Sequence, residues 1–127
     1  MGKLIGYARV STRQQDADRQ VSDLLNVGVR RDDLYVDHGV SGGRASRPSF
    51  DKAVDALDSG DTLVITTLDR LGRSTQNMLA FADQLGGKGA GLRVLNLGGG
   101  DVDTHTPMGS MVFTVMAALA QMELEIK

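Results

Sequence analysis

The chain has no cysteine among its 127 residues, which excludes a disulfide framework and any thiolate metal site. It also has little net charge: 14 basic against 16 acidic side chains leave −2 at pH 7. A protein that grips nucleic acid by bulk electrostatics carries a clear positive excess, so strong autonomous binding of that kind is not expected, although a local arginine cluster stays possible. Lys3-Leu4-Ile5-Gly6 runs straight into the first strand pattern, so no signal peptide is expected and a cytoplasmic location is the default expectation. Internal repeats and linkers are missing. The glycine clusters "GGKGAG" (Gly86 to Gly91) and "LGGGD" read as turns. They match neither a Walker loop nor the dinucleotide fingerprint, because the spacing and the Lys-Ser/Thr pair are absent. What is present is the balance of one globular domain, 41% hydrophobic and 24% charged.

The periodicity switches repeatedly along the chain. Lys3 to Val10 is a short β-rich run, and Gln15 to Val27 carries Val21, Leu24 and Leu25 at helical spacing before closing at Gly28. Asp33 to Asp37 reads as a strand and Gly39 to Pro48 as a glycine- and serine-rich loop. Phe50, Val54 and Leu57 give the next helix its face, ending at Ser59-Gly60. Asp61 to Leu68 ("DTLVITTL") is the strongest strand pattern. Ser74 then looks like the N-cap of a helix through Met78, Leu79, Phe81, Ala82 and Leu85, and Gly91 to Leu97 is the last full strand expected. Strands alternating with helices over short links predict an α/β fold, a mainly parallel sheet flanked by helices.

The C-terminal segment differs. Thr106 to Gln121 holds no charged residue, and Met108, Met111, Val112, Phe113, Val115, Met116, Leu119 and Met122 cover nearly every side of a helix. Sixteen residues interrupted by Thr114 are too few and too mixed for a membrane span. A helix apolar all round needs cover on all sides, and a partner chain is the natural cover for a domain this small. Four methionines within fifteen residues suit an adaptable contact.

In an open α/β sheet, ligands collect beyond the carboxyl ends of the strands. Three segments are expected there: "RVSTRQQ", "DHGVSGGRASR" and "LDRLGRS". Together they bring Arg9, Arg13, Arg44, Arg47, Arg70 and Arg73, six of the ten arginines, to one end of the molecule. Arginine over lysine fits bidentate recognition of an oxyanion, phosphate above all. Ser11 lies among them as a candidate nucleophile with no histidine beside it. Each segment also has an ordinary reading. Ser11 followed by Gln14 fits a capping box, Asp69, Arg70 and Arg73 fit a solvated loop and helix start, and Asp37 fits a cap or turn. His38 fits a loop position. Asp101, Asp103 and His105 suggest a metal site only by loose spacing, and that would make the chain a metal-dependent phosphohydrolase.

Four motifs in order, "YARVSTRQQ", "VDHGVSGGRASRP", "GDTLVITTLDRLGRS" and "TPMGSMVFTVMAALAQMELE", resemble the catalytic domain of the resolvase/invertase family of serine site-specific DNA recombinases. The resemblance runs from Leu4 to Glu125. It implies that Ser11 attacks a DNA phosphodiester to form a 5′-phosphoserine link and release a 3′-hydroxyl, without a cofactor or metal ion. It implies that Arg9, Arg47, Arg70 and Arg73 cradle the scissile phosphate. Asp69 would orient an arginine or assist proton transfer, and Tyr7, Gln15, Asp37, Ser41 and Asp61 would support the pocket. The missing histidine is what such chemistry permits, since phosphoryl transfer asks first for charge stabilisation.

The resemblance also implies a long helix over about 107–127 that makes a homodimer through Met108, Met111, Val112, Val115, Met116, Leu119 and Met122. Two dimers would form a tetramer on paired double-stranded DNA sites. A helix-turn-helix domain that follows in family members has no counterpart here, so a catalytic fragment is expected, with a silent dimerisation or regulatory module of the same fold as the alternative. The chain departs from the family at Ser110 and Leu124, where a basic residue is common, and "NLGGGDVDT" is richer in glycine than expected, which predicts a mobile loop before the helix.

Overall fold

The alternation of the first strand decides the layers. In β1 (Leu4–Val10), Ile5 and Tyr7 join one buried cluster, whereas Ala8 and Val10 join another on the opposite face, as a period of two requires. The computed structural model describes residues 2–10, 14–38, 48–66, 75–97, 100–111, 113–115 and 118. In it, β1 leads to α1 (Gln14–Asn26), a 3-10 turn (Arg31–Asp33), β2 (Leu34–His38), α2 (Pro48–Asp55), β3 (Thr62–Ile65), α3 (Thr75–Gly87), β4 (Gly91–Leu97) and β5 (Gly100–Asp103). The strands form one sheet in the order β2-β1-β3-β4-β5. The first four are parallel and β5 is antiparallel to β4. The expected mainly parallel sheet flanked by helices is therefore present.

One core cluster packs Ile5, Tyr7, Leu63, Ile65, Leu92 and Val94 of the sheet against Phe50, Ala53, Phe81, Leu85 and Phe113. Tyr7 meets Phe50 edge-on at 5.1 Å between ring centroids, and Phe50 lies 5.5 Å from Phe81. The other cluster sets α1, through Leu24 and Ala17, against Ala8, Val10, Val29 and Val64. The buried stripe of α1 is thus Ala17, Gln20 and Leu24, while Val21 and Leu25 are only half-buried. The helix ends as expected at Gly28, whose φ of 110° is a left-handed conformation that glycine adopts without steric cost. The amides of Gly28 and Val29 turn back to the carbonyls of Leu25 and Leu24.

Two expectations need correction. The glycine-rich stretch after β4 is not a loop throughout, and Leu97 does not close the last strand. Gly100–Asp103 pairs with β4 across a register irregularity between Val94 and Leu97. Val102 is buried against the core, and Arg93 holds Asp101 in a bidentate pair, Nε to Oδ1 at 3.0 Å and Nη2 to Oδ2 at 2.6 Å. The C-terminal helix is not covered on all sides by its own chain, in line with the expectation that a domain this small leaves part of it uncovered. Residues 107–111, 113–115 and 118 are helical, and Phe113 is buried while Met108, Met111 and Val115 stand 66%, 58% and 51% exposed. The expected continuation to 127, with Val112, Met116, Leu119 and Met122, lies outside the described residues. Among the described residues no helix is long and apolar enough to cross a membrane.

Candidate active site

β2, β1 and β3 are neighbours and run in one direction, with Val10 level with His38 and Gly6 level with Val64. Their carboxyl ends therefore share one edge of the sheet. In sequence these ends are followed by residues 11–13, 39–47 and 67–74, which contain Ser11, Arg13, Ser41, Arg44, Arg47, Asp69, Arg70 and Arg73. Those residues, and the side chain of Gln15, lie outside the described part of the structure. The described candidates are Tyr7, Arg9, Asp37 and Asp61.

Tyr7, Arg9 and Asp37 come together on the face that carries α2. Arg9 is half-buried and sits in register with Asp37 across β1 and β2. The fully buried Tyr7 hydroxyl donates to Asp37 Oδ2 at 2.9 Å. The same carboxylate accepts the amides of Ser49, at 3.0 Å to Oδ1, and Phe50, at 3.1 Å to Oδ2. Three donors converge on one side chain. Asp37 thus caps the first turn of α2, where free amides and the helix dipole favour an anion. The ordinary reading of this residue as a cap is correct, and it has a consequence for the site. By joining the end of β2 to Ser49 and Phe50, Asp37 brackets both ends of the stretch 39–47, while Tyr7 ties that bracket to β1 four residues before Ser11.

A second tie holds the opposite face. Gln20 of α1, 2% exposed, donates from Nε2 to the Arg9 carbonyl at 3.0 Å. It fastens α1 to β1 on either side of residues 11–13. Sequence reading passed over Gln20; its signal is a polar residue on the buried stripe, three residues from Ala17 and four from Leu24. On the third strand Thr66 is buried just past β3, and its carbonyl accepts the Asn96 amide at 2.9 Å.

Asp61 does not belong with this group. It precedes β3, at the amino end of the strands and so at the opposite edge from the loops above. Its Oδ1 accepts the Lys3 amide at 2.9 Å, and its Oδ2 accepts the Asp58 amide at 2.9 Å. Desolvation pushes its pKa up, but those two amide bonds, with the charges of Lys3 and the N-terminus, outweigh burial and leave the carboxyl below its ordinary value. A place in the pocket is replaced by a structural one, because this carboxylate joins the starts of β1 and β3.

The loosely spaced metal candidates are likewise engaged separately. Asp101 binds Arg93, Asp103 Oδ1 accepts the His105 amide at 2.9 Å, and the His105 ring turns to the Asp61 carbonyl at 3.2 Å. Among the described residues no three His, Asp or Glu side chains are grouped to hold an ion.

Residues 4–127 match the family model described as the resolvase N-terminal domain. The chain belongs to this family. It is 37% identical to a resolvase of Clostridium perfringens over 97% of the chain and 65% of that relative. It is 42% identical to a DNA-invertase of Escherichia phage P1, covering 97% of the chain and 63% of the relative. It is also 42% identical to the serine recombinase gin of Escherichia phage Mu, covering 97% and 61%. The chain thus spans somewhat under two thirds of the length of these relatives. A crystal structure of a resolvase family site-specific recombinase from Streptococcus pneumoniae superposes with a TM-score of 0.64 at 20% identity, over 98% of this chain and 89% of the other. That likeness shows the resolvase fold.

Proposed function

We propose that residues 1–127 form the catalytic domain of a serine site-specific DNA recombinase, with Ser11 as the nucleophile. The observation that carries this reading is the parallel neighbourhood of β2, β1 and β3 in a resolvase-family chain. Their carboxyl ends lead in sequence to Ser11, to Ser41, Arg44 and Arg47, and to Asp69, Arg70 and Arg73. The names of the relatives point to DNA as substrate and serine as nucleophile.

The Ser11 hydroxyl oxygen attacks the phosphorus and the P–O3′ bond breaks. The proton goes to the departing 3′-oxygen, and the 5′-phosphate stays on Ser11. The reverse attack by a 3′-hydroxyl of another strand rejoins the DNA. Such a reaction depends mainly on stabilising charge over the phosphoryl oxygens. Arg9, Arg47, Arg70 and Arg73 supply it in this reading, with Asp69 orienting an arginine or relaying the proton. Tyr7 and Asp37 position the strands and the stretch between them, and Gln15 and Ser41 complete the surroundings. No cofactor is required. The partners are double-stranded recombination sites and further copies of the chain. A helix over 107–127 makes the dimer through Met108, Met111, Val112, Val115, Met116, Leu119 and Met122, and two dimers make the tetramer. The exposure of Met108, Met111 and Val115 supports that assembly.

The test is covalent capture. The chain fused to the arm and DNA-binding domain of a related recombinase is incubated with that recombinase's paired sites in EDTA and run on denaturing gels. A protein–DNA band that disappears with Ser11→Ala is expected. A band that survives the substitution, or that EDTA abolishes, overturns the reading.

A further inference from the structure

His105 lies at the joint between β5 and the C-terminal helix, and neither the proposed chemistry nor a metal site uses it. Its ring reaches the Asp61 carbonyl, 44 positions away in sequence. A carbonyl only accepts, so the contact makes Nε2 the protonated nitrogen. The same carbonyl accepts the Gly91 amide at 3.0 Å. The ring also occupies the space above Gly91, where a Cβ would lie 2.5 Å from Cδ2 and 2.6 Å from Nε2. One side chain thus touches the start of β3 and the start of β4.

The residues around it make the joint stiff. The His105 amide donates to Asp103 Oδ1. Thr106 Oγ1 donates to the Asp103 carbonyl at 2.9 Å and accepts the Gly109 amide at 2.9 Å, which caps the helix. Gly109 is buried and passes so close to the Asp103 carbonyl that a Cβ would collide with it. Farther along, Phe113 packs into the core cluster, six residues past the first helical residue, Pro107, and so about 9 Å along the axis. Two separated attachments fix a direction, whereas one allows pivoting.

We infer that His105 is a positioning residue, a pin that fixes the angle at which the C-terminal helix leaves the amino edge of the sheet and so aims the exposed stripe Met108, Met111 and Val115. Gly91 is glycine to make room for that pin. The functional consequence rests on the proposed role of the helix in assembly; the geometric claim does not.

Because the chain lacks cysteine, spin labels at Lys52→Cys and Ala118→Cys report the angle directly, with excess unlabelled chain added to suppress distances between copies. The expected result is one narrow distance population in the parent. It is lost in His105→Ala and in Gly91→Ala, and restored in His105→Gln, whose amide can still donate to Asp61. Gly91→Ala is expected to add nothing in the His105→Ala background, since the ring it displaces is already gone. Unfolding midpoints are measured alongside. A lower midpoint with an unchanged distance population, or additive effects of the two substitutions, overturns the inference. Sedimentation of the same variants tests the assembly reading separately: a changed angle with unchanged self-association leaves the pin standing and removes the dimer role.

Discussion

The Tyr7–Asp37 bond makes a quantitative prediction, because its two ends can be removed independently. Asp37→Ala takes away three acceptor contacts at once. The loss of the α2 cap costs about 1–2 kcal/mol. The phenol bond to a carboxylate, inside a fully buried environment, adds about 1.5–3 kcal/mol. The single substitution is therefore expected to destabilise by roughly 2.5–5 kcal/mol. Tyr7→Phe keeps the ring against Phe50 and leaves the carboxylate its two amides, while removing the phenol bond. In the double variant that bond cannot be lost twice. The two effects should fall short of additivity by about 1.5–3 kcal/mol, the range expected of groups in direct contact. Asp37→Asn should lie between the parent and Asp37→Ala, since an amide offers one acceptor atom in place of two. The assay is urea unfolding followed by far-UV circular dichroism, at one protein concentration so that self-association does not shift the midpoint. Additivity within about 0.5 kcal/mol would refute the bond as a stabilising link between β1 and the α2 cap.

The exposed helix stripe and the buried carboxylate at the opposite edge give further expectations. Glutamate at Met111 or Val115 should abolish self-association in sedimentation velocity while leaving the unfolding midpoint of the monomer nearly unchanged, as exposed substitutions do within about 0.5 kcal/mol; persistent dimers would remove the stripe from the interface. Asp61 has a folded pKa below its ordinary value, so its contribution is full above that ordinary value and fades as pH falls through the folded one. The stability gap between the parent and Asp61→Asn should accordingly be constant near neutrality and shrink as pH falls below the ordinary carboxylate value and through the lower folded one; a gap that widens on acidification contradicts the sign.

Most of the sheet was legible because its signals are local. β1 and β4 are runs of apolar and β-favouring residues, and Gly28 marks the end of α1 by a conformation few other residues tolerate. β5 was not legible. Its only buried apolar side chain is Val102, and what holds the strand is a partner on β4, Arg93, which no local pattern connects to Asp101. The C-terminal helix was legible only in part. Its lack of charge says that it is apolar but not which side the body covers; that depends on Phe113 finding the cluster of Phe81 and Leu85. Asp61 shows a limit of reading by resemblance. A shared motif carries a residue's identity but not the edge of the sheet it occupies, yet its place one residue before β3 already puts it at the amino end.

Asp37 and Gln20 are buried polar residues whose bonds run between elements far apart in sequence, and both act next to segments bearing the candidate chemistry. Burying such groups is favourable only when they are hydrogen-bonded, so each fixes geometry in a way an apolar residue would not. Asp37 joins β1, β2 and α2 on one face of the sheet, and Gln20 joins β1 and α1 on the other. β1 is held from both faces within four residues of Ser11. A phosphoryl-transfer nucleophile depends on placement against fixed positive charge more than on a local base, and a strand anchored on both sides is the kind of support that placement needs.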